Sequence, residues 1–385
     1  RRRAPPADRT PPASPHAHAR IRAVDTSAAR ALEGAVDVVT AADLGDVWRP
    51  GPLLVPPPPV EGAVFHERTV VPLVRDKARH VGEPIAAVVA ASRALAEDAA
   101  DLVRVDYEVL PAAVDLEASL DAGAPLVHDE LGSNVAAHVV QRKGDWAEAA
   151  RRAARVVARR LVYDRGAAAA IENRGVVAEW DRLAERLTVW DTTQAPIPIR
   201  GGLAEMFGLN EEQVRVVAPF VGGGFGPKIM MFYPEEVLVP WLAMRLERPV
   251  KWIEDRSENF YATTQERGQV HDVELAVTSE GRILGLKDTF LHDSGAYDPE
   301  IPVNIVDLGL IYSCELDAEA SGTRADITMT LTAPGCGMGP VLAADVKNRV
   351  EEIEDIQEAR VEVVFDPPWN QNMMSEAARL ELGFM

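Results

Sequence analysis

Three consecutive glycines and a fourth, in Val221-Gly-Gly-Gly-Phe-Gly-Pro-Lys228, separate a β-type run, Val214-Arg-Val-Val217, from a helical segment. That segment opens near Pro234 and carries Val237, Leu238, Trp241 and Leu242 on one side. A strand, a glycine loop and a helix in this order commit the middle of the chain to mixed α and β layers. Without a Cβ, such glycines let backbone N–H groups approach a bulky anionic ligand; the same composition also suits a tight turn, and both readings stand on the loop alone. Two phosphate-binding patterns are excluded. Lys228 lacks the spacing and the Ser/Thr neighbour of a Walker loop. Gly222, Gly223, Gly224 and Gly226 do not form G-x-G-x-x-G with a following acid.

Earlier in the chain, Ile85-Ala-Ala-Val-Val-Ala90 is a short apolar run suited to a buried strand. Ser92 is placed to cap a helix with Leu95, Ala99, Leu102 and Val103 on one face. Val105-Asp-Tyr-Glu-Val-Leu110 then alternates as a strand that Pro111 stops. The Arg- and Pro-rich residues 1–13 are expected to be a disordered lead-in, and Arg49–Pro59 an extended surface loop. Further on, Leu187-Thr-Val-Trp190 reads as a strand followed by a helix through Phe207. Asn210 and Gln213 have capping-box spacing. Val250–Ile253, His271–Thr278 and Ile283–His292 read as strands. From Asp298 on, strands are expected at Leu308–Leu316, Arg324–Thr332 and Arg360–Phe365, with helices over Val341–Ile353 and from Ser375.

Length and charge bound the function. The 385 residues leave room for two or three domains, and no apolar run approaches the length of a membrane span. Lys and Arg number 40 against 60 Asp and Glu, a net charge of −20. Residues 298–385 hold 17 acidic and 5 basic side chains, which excludes phosphate-backbone binding and so nucleic acid there. No secretory pattern is visible, so the cytoplasm is the expected compartment, without membrane contact. The two cysteines, Cys314 and Cys336, cannot make a disulfide framework or a self-contained metal site.

Several strings carry a resemblance. Val81-Gly-Glu-Pro-Ile-Ala-Ala-Val-Val-Ala90 with Val105–Pro111 resembles the α/β hammerhead domain that opens the large subunit of the xanthine dehydrogenase, aldehyde oxidase and aerobic carbon monoxide dehydrogenase family. Thr193-Gln-Ala-Pro196, the glycine loop, Val250–Glu258 and His292-Asp-Ser-Gly-Ala-Tyr297 resemble the molybdopterin-binding part of the same subunit. The resemblance implies that Gln194 and the Gly224, Phe225 and Gly226 loop positions approach a molybdenum–pterin cofactor, molybdopterin, where amide and N–H donors would meet oxo or pterin groups. It also implies flavin and iron–sulfur partner subunits. Catalysis in that family uses a carboxylate base far along the subunit. The resemblance ends at Tyr297, so no catalytic residue is assigned, the cofactor site is expected to be incomplete, and turnover alone is not expected. Glu172 and Glu179 are read as surface or structural acids.

Beyond that point Asp298-Pro-Glu300, the loop Ala333-Pro-Gly-Cys-Gly-Met-Gly339 and Phe365-Asp-Pro-Pro-Trp369 resemble SufT-like and PaaD-like metal–sulfur cluster assembly factors. A thiol just before a helix favours thiolate, the form that ligates metal. The resemblance implies transient iron–sulfur cluster handling at Cys336, and one thiolate requires a homodimer or cluster-assembly proteins to complete the ligand set.

The fold class is thus multidomain α+β: an α/β hammerhead domain at 14–120, a partial molybdopterin-binding α+β domain at 135–297, and a small α+β cluster-assembly domain at 298–385. Three functions remain open: a molybdenum hydroxylase large-subunit fragment fused to a cluster-assembly domain, a cluster-maturation factor with a degenerate first half, and a join of two genes.

Overall fold

The computed structural model describes residues 7–10, 13–52, 64–229, 232–265, 268–297, 311–319, 322–330, 343, 346–347, 350–351, 356–366 and 373. The first unit comprises β1 (Ala7–Thr10), β2 (Ala19–Asp25), α1 (Ser27–Ala31), β3 (Ala35–Thr40), β4 (Val64–Phe65), β5 (Lys77–Ala78), β6 (Ala86–Ala90), α2 (Arg93–Ala100) and β7 (Arg104–Val109). All of β6 is buried, as its unbroken apolar run requires of a strand covered on both faces. Ser92 caps α2 by accepting the Leu95 N–H at 3.4 Å. The helix stops at Ala100, and Leu102 and Val103 pack from the loop beyond it.

The second unit follows with β8 (Ala137–His138), α3 (Trp146–Arg152), β9 (Arg155–Tyr163), β10 (Gly175–Asp181), β11 (Arg186–Asp191), α4 (Pro196–Phe207), β12 (Val214–Val217), α5 (Pro234–Leu246), β13 (Val250–Ile253), α6 (Arg256–Ala262), β14 (Gln269–Val277) and β15 (Ile283–His292). The two units share one seven-stranded sheet, ordered β12-β11-β10-β13-β1-β6-β3. Its stitch is β1, which runs parallel to β13 (Ala7 opposite Val250) and antiparallel to β6 (Asp8 opposite Ala90). At residues 7–10 this departs from the disordered lead-in expected over residues 1–13. Ala7-Asp-Arg-Thr10 has no apolar period, but its backbone fills the gap between two strands whose edges would otherwise stay unpaired. Helices α4 and α5 lie on the sheet and close the main core around Leu187, Leu203, Leu238, Leu242 and Trp252.

Helix α5 departs from the one-sided burial expected of it. Pro234 occupies its first turn and Glu236 reaches back to the Tyr233 N–H at 2.7 Å, yet Glu235 and Glu236 are both buried. The reason is Arg174, just before β10. Its guanidinium ion-pairs with Glu235 and with Glu254, donates to Glu254 Oε1 from Nε at 3.0 Å, and lies 3.8 Å over the Tyr233 ring. Burial opposes this cation, and the fields of Glu235 and Glu254 outweigh the penalty, so its pKa stands above the ordinary value. Next to it, Asp191 and Glu236 form a second buried pair. Burial pushes the Asp191 carboxyl up to about 7, and burial with the field of Asp191 drives Glu236 well above its ordinary value.

The last stretch of the second unit forms a separate sheet, ordered β15-β14-β9. Its chain then reaches Tyr297, where the first resemblance was expected to end. The Tyr297 hydroxyl donates to Glu83 Oε1 at 2.5 Å and accepts from Arg79 at 3.3 Å, and His128 Nε2–H donates to the Ala296 carbonyl at 2.8 Å. Residue 297 is therefore clamped to the first unit. Beyond it, β16 (Ile311–Glu319), β17 (Gly322–Met329) and β18 (Ile356–Val363) form a sheet in which β17 pairs antiparallel with β16 and parallel with β18. These strands lie within three or four residues of the expected ones; the expected helix from Ser375 and most of the loop at Arg49–Pro59 fall outside the described residues. Among the described residues no helix is long and apolar enough to cross a membrane.

Two outcomes follow from the buried charges. Arg174→Met leaves Glu235 and Glu254 buried without their cation and is expected to cost about 3–5 kcal/mol in denaturant unfolding. Arg200→Met breaks only the exposed pair with Glu211 and is expected to cost about 1 kcal/mol or less; equal losses would refute the role given to Arg174. Asp191 and Glu236 hold protons in the folded chain that they release when unfolded near pH 4. Their stabilisation is full below that pH and is lost as pH rises through about 7. Melting temperature should therefore fall from about pH 5 to about pH 8, more steeply than in Asp191→Asn, which keeps a neutral hydrogen-bonding partner. Parallel profiles would contradict the assignment.

Candidate functional site

The glycine loop hangs between two ties. At its start, the Gly222 N–H donates to Glu172 Oε2 at 2.6 Å, and the Glu172 N–H donates to the Gly222 carbonyl at 3.1 Å. At its end, the Lys228 carbonyl accepts from Thr193 Oγ1 at 3.1 Å and from the Gln194 N–H at 3.0 Å. The Lys228 ammonium is buried and reaches Glu172 Oε2 at 3.1 Å, which closes the loop on itself. Arg256 steadies the Glu172 side by donating to the carbonyls of Ala170 and Ile171 at 2.6 and 2.9 Å.

Within the loop the glycines serve different purposes. A Cβ at Gly222 would lie 2.6 Å from the Glu172 Cβ, and one at Gly224 would lie 2.3 Å from the Gln194 Cδ, so the close approach itself excludes side chains there. Gly223 and Gly226 have φ of +100° and +93°, and Phe225 between them has +55°, a conformation an aromatic residue rarely takes. The strain turns the Phe225 ring outward, where it is 62% exposed.

Sequence reasoning selected Gln194, Gly224, Phe225 and Gly226, and the fold brings these four together. Gln194 Oε1 accepts the Gly226 N–H at 3.1 Å. Among the described residues the N–H groups of Gly223, Gly224 and Phe225 have no hydrogen-bond partner. Gln194 is exposed, so the loop presents donors on an open side. Phe220 and Ile171, 103% and 94% exposed, rim the same place. A large cavity of about 1050 Å³ between the two units, lined by Glu83, Tyr107, Glu258, Tyr261 and Tyr297, includes no residue of the loop.

Other parts of the site escaped sequence reasoning. Lys228 looked like a failed Walker lysine but is the tie that holds Thr193 and Gln194. Glu172, read as a surface or structural acid, anchors Gly222. The adjacent Glu235-Glu236 in an otherwise apolar helix was the available signal for the ionic core beneath the loop. Cys336, Asp298 and Glu300 lie outside the described residues, and Cys314 is placed in β16. Among the described residues no group of three or more His, Cys, Asp or Glu side chains is placed to hold a metal ion.

Comparison with known proteins identifies the families of the two parts. Residues 127–330 match the molybdopterin cofactor-binding domain, and residues 12–111 match the a/b hammerhead domain of aldehyde oxidase and xanthine dehydrogenase. The nicotine 6-hydroxylase large subunit of Paenarthrobacter nicotinovorans is 39% identical over 285 residues, covering 74% of this chain and 34% of that protein. Quinoline 2-oxidoreductase from Pseudomonas putida 86 superposes with a TM-score of 0.68 at 37% identity, over 74% of this chain and 35% of that one. The chain spans about a third of the length of these molybdenum-type relatives. An Fe-S protein maturation auxiliary factor from Porphyromonas gingivalis is 47% identical over 89 residues, 23% of this chain and 82% of that protein. The chain belongs to the molybdopterin-binding large-subunit family of molybdenum hydroxylases, and carries fused to that region an iron–sulfur assembly domain of the maturation-factor family.

Proposed function

We propose that the chain supplies the glycine-loop side of a molybdopterin site, together with an iron–sulfur assembly domain, and that it does not turn over alone. The observation that carries this reading is the unpaired donor set on the open face of the loop. The Gly224 and Phe225 N–H groups, with the Gln194 amide, suit the oxo, phosphate and pterin acceptors of such a cofactor. Gly226 acts indirectly, since its N–H holds Gln194 Oε1 and so aims the Gln194 NH₂ outward. A Cβ at position 224 would fill the place where the two groups meet. When bound, the cofactor supplies two-electron oxidation chemistry. The chain's own residues bind and orient it, and the rigid base for that is the Glu172–Lys228 tie.

Phe220, Phe225 and Ile171 leave the opposite wall of the cleft to protein other than the described residues. Completion by protein beyond the described residues, alongside flavin and iron–sulfur subunits, is the arrangement that gives these side chains cover. In the last domain Cys336 is the proposed cluster ligand, acting with a second copy or a cluster-assembly protein because one thiolate does not hold a cluster. The cytoplasm is the proposed compartment.

Protein produced alone in a host that makes molybdopterin is expected to carry far less than one molybdenum per chain by elemental analysis. Stoichiometric molybdenum in that preparation would overturn the half-site reading. Cys336→Ser is expected to abolish iron–sulfur transfer to an acceptor apoprotein while leaving the circular dichroism spectrum unchanged. Undiminished transfer by the variant would remove Cys336 from the function.

A further inference from the structure

The large cavity between the two units has a chemistry that the glycine loop does not use. At about 1050 Å³ it has the size of a small-molecule site, which usually spans roughly 300–1,000 Å³. One wall comes from the first unit, through the end of α2, the strand β7 and the turn at Gly82. The other comes from the second unit, through α6 and the chain at Tyr297.

The lining is short of positive charge. Carboxylates reach it from Glu83, Glu97, Asp101, Glu235, Asp255 and Glu258, against the guanidinium groups of Arg165 and Arg174 and the imidazole of His80. Both arginines are committed, Arg165 to Asp293 at 3.0 Å and Arg174 to Glu235 and Glu254. His80 donates from Nδ1 to the Val81 carbonyl at 2.8 Å. Arg93, whose field reaches Glu258, is held by Glu97 at 2.6 Å and by Asp255 at 3.8 Å. Glu258 itself is in no ion pair among the described residues. Burial raises the Tyr261 hydroxyl above its ordinary pKa, and the fields of Glu258, Asp255 and Glu254 raise it further. Burial, with the fields of Asp255, Glu254 and Glu235, likewise raises the Glu258 carboxyl. Negative charge is thus concentrated on the α6 wall.

Aromatic rings, firmly braced, share the lining. Tyr261 lies against Gly82, whose φ is +89° and where a Cβ would come within 2.6 Å of the ring. Tyr107 meets the His16 ring edge-on at 4.9 Å. Tyr297 meets His128 edge-on at 5.5 Å and is fixed by Glu83 and Arg79. Glu258 and Tyr261 stand three residues apart on α6, and so on one face of it. Tyr261 is 43% exposed, which leaves ring surface for a ligand.

Acids set among aromatic rings select a cation that carries apolar bulk. A bare metal ion is a poor fit, since no group of three or more His, Cys, Asp or Glu among the described residues is placed to hold one. An anion would face the carboxylates, and a neutral apolar molecule would strip them of water without compensation. An ammonium with organic substituents suits both kinds of lining.

We propose that this inter-unit cavity is a binding site for an organic ammonium ion, whose charge is met by the Glu258 carboxylate and whose apolar part lies on the Tyr261 ring. It goes beyond the molybdopterin reading and does not rest on it, because the cavity includes no residue of the glycine loop.

The test is isothermal titration calorimetry of the full chain at pH 8 and low salt, with 4-phenylbutylamine and with its neutral counterpart 4-phenyl-1-butanol. One amine per chain is expected, bound at least about tenfold more tightly than the alcohol. Glu258→Gln keeps an oxygen for the capping bond that the Asp255 N–H donates at 2.9 Å, and is expected to bring the amine down to the affinity of the alcohol. Tyr261→Leu is expected to weaken the amine about fivefold, and it carries the test if Glu258→Gln fails to fold by circular dichroism. Glu211→Gln, at an exposed acid paired with Arg200 and outside the cavity, should change nothing. Equal affinity for amine and alcohol, no binding of the amine, or an amine affinity that the folded variants leave unchanged would overturn the proposal. So would a loss in Glu211→Gln as large as in Glu258→Gln, which would assign the binding to the acidic surface at large.

Discussion

A buried arginine organises the molybdopterin-binding part of the chain. Arg174 joins the entry of β10, the first turn of α5 and the end of β13 through Glu235 and Glu254, and none of these three side chains has water to fall back on. Buried charge is tolerated only when it is paired and hydrogen-bonded, so the geometry of the three segments is over-determined. The neighbouring Asp191–Glu236 pair lies at the end of β11, three residues before Gln194. The glycine loop therefore rests on a rigid ionic floor. Its unusual backbone, with Phe225 at positive φ, is held by surroundings stiff enough to impose it.

Much of this was legible in the residues. Ser92 capping α2, the apolar run of β6, β12 at Val214–Val217 and Pro234 opening α5 are local signals, and the structure has each of them. Gln194 and the loop glycines meet because a glutamine at a strand–helix junction and a loop 30 residues later are tied through the Lys228 carbonyl. What stayed hidden depends on distant partners. Strand β1 has no pattern of its own and exists because Val250 and Ala90 flank it. Arg174 meets Glu235 and Glu254 across 61 and 80 residues of sequence, a pairing that no periodicity encodes. Helix α5 read as one-sided because its glutamates are polar by type, whereas the arginine makes them core residues.

The same structure explains how two families share a chain. The first unit and the second share one sheet, stitched by β1, and Tyr297 is pinned to Glu83 and Arg79. The last domain has its own three-stranded sheet.

The central claim is that one polypeptide carries both the molybdopterin-binding region and the iron–sulfur assembly domain. Mass spectrometry of tryptic peptides from the cells that make the protein tests it directly, because cleavage after Lys287 and Arg324 leaves Asp288–Arg324 as one peptide across the join. A single chain yields that peptide, in the same abundance as peptides from either side. Its absence, with the flanking peptides assigned to two separate longer proteins, would contradict the claim.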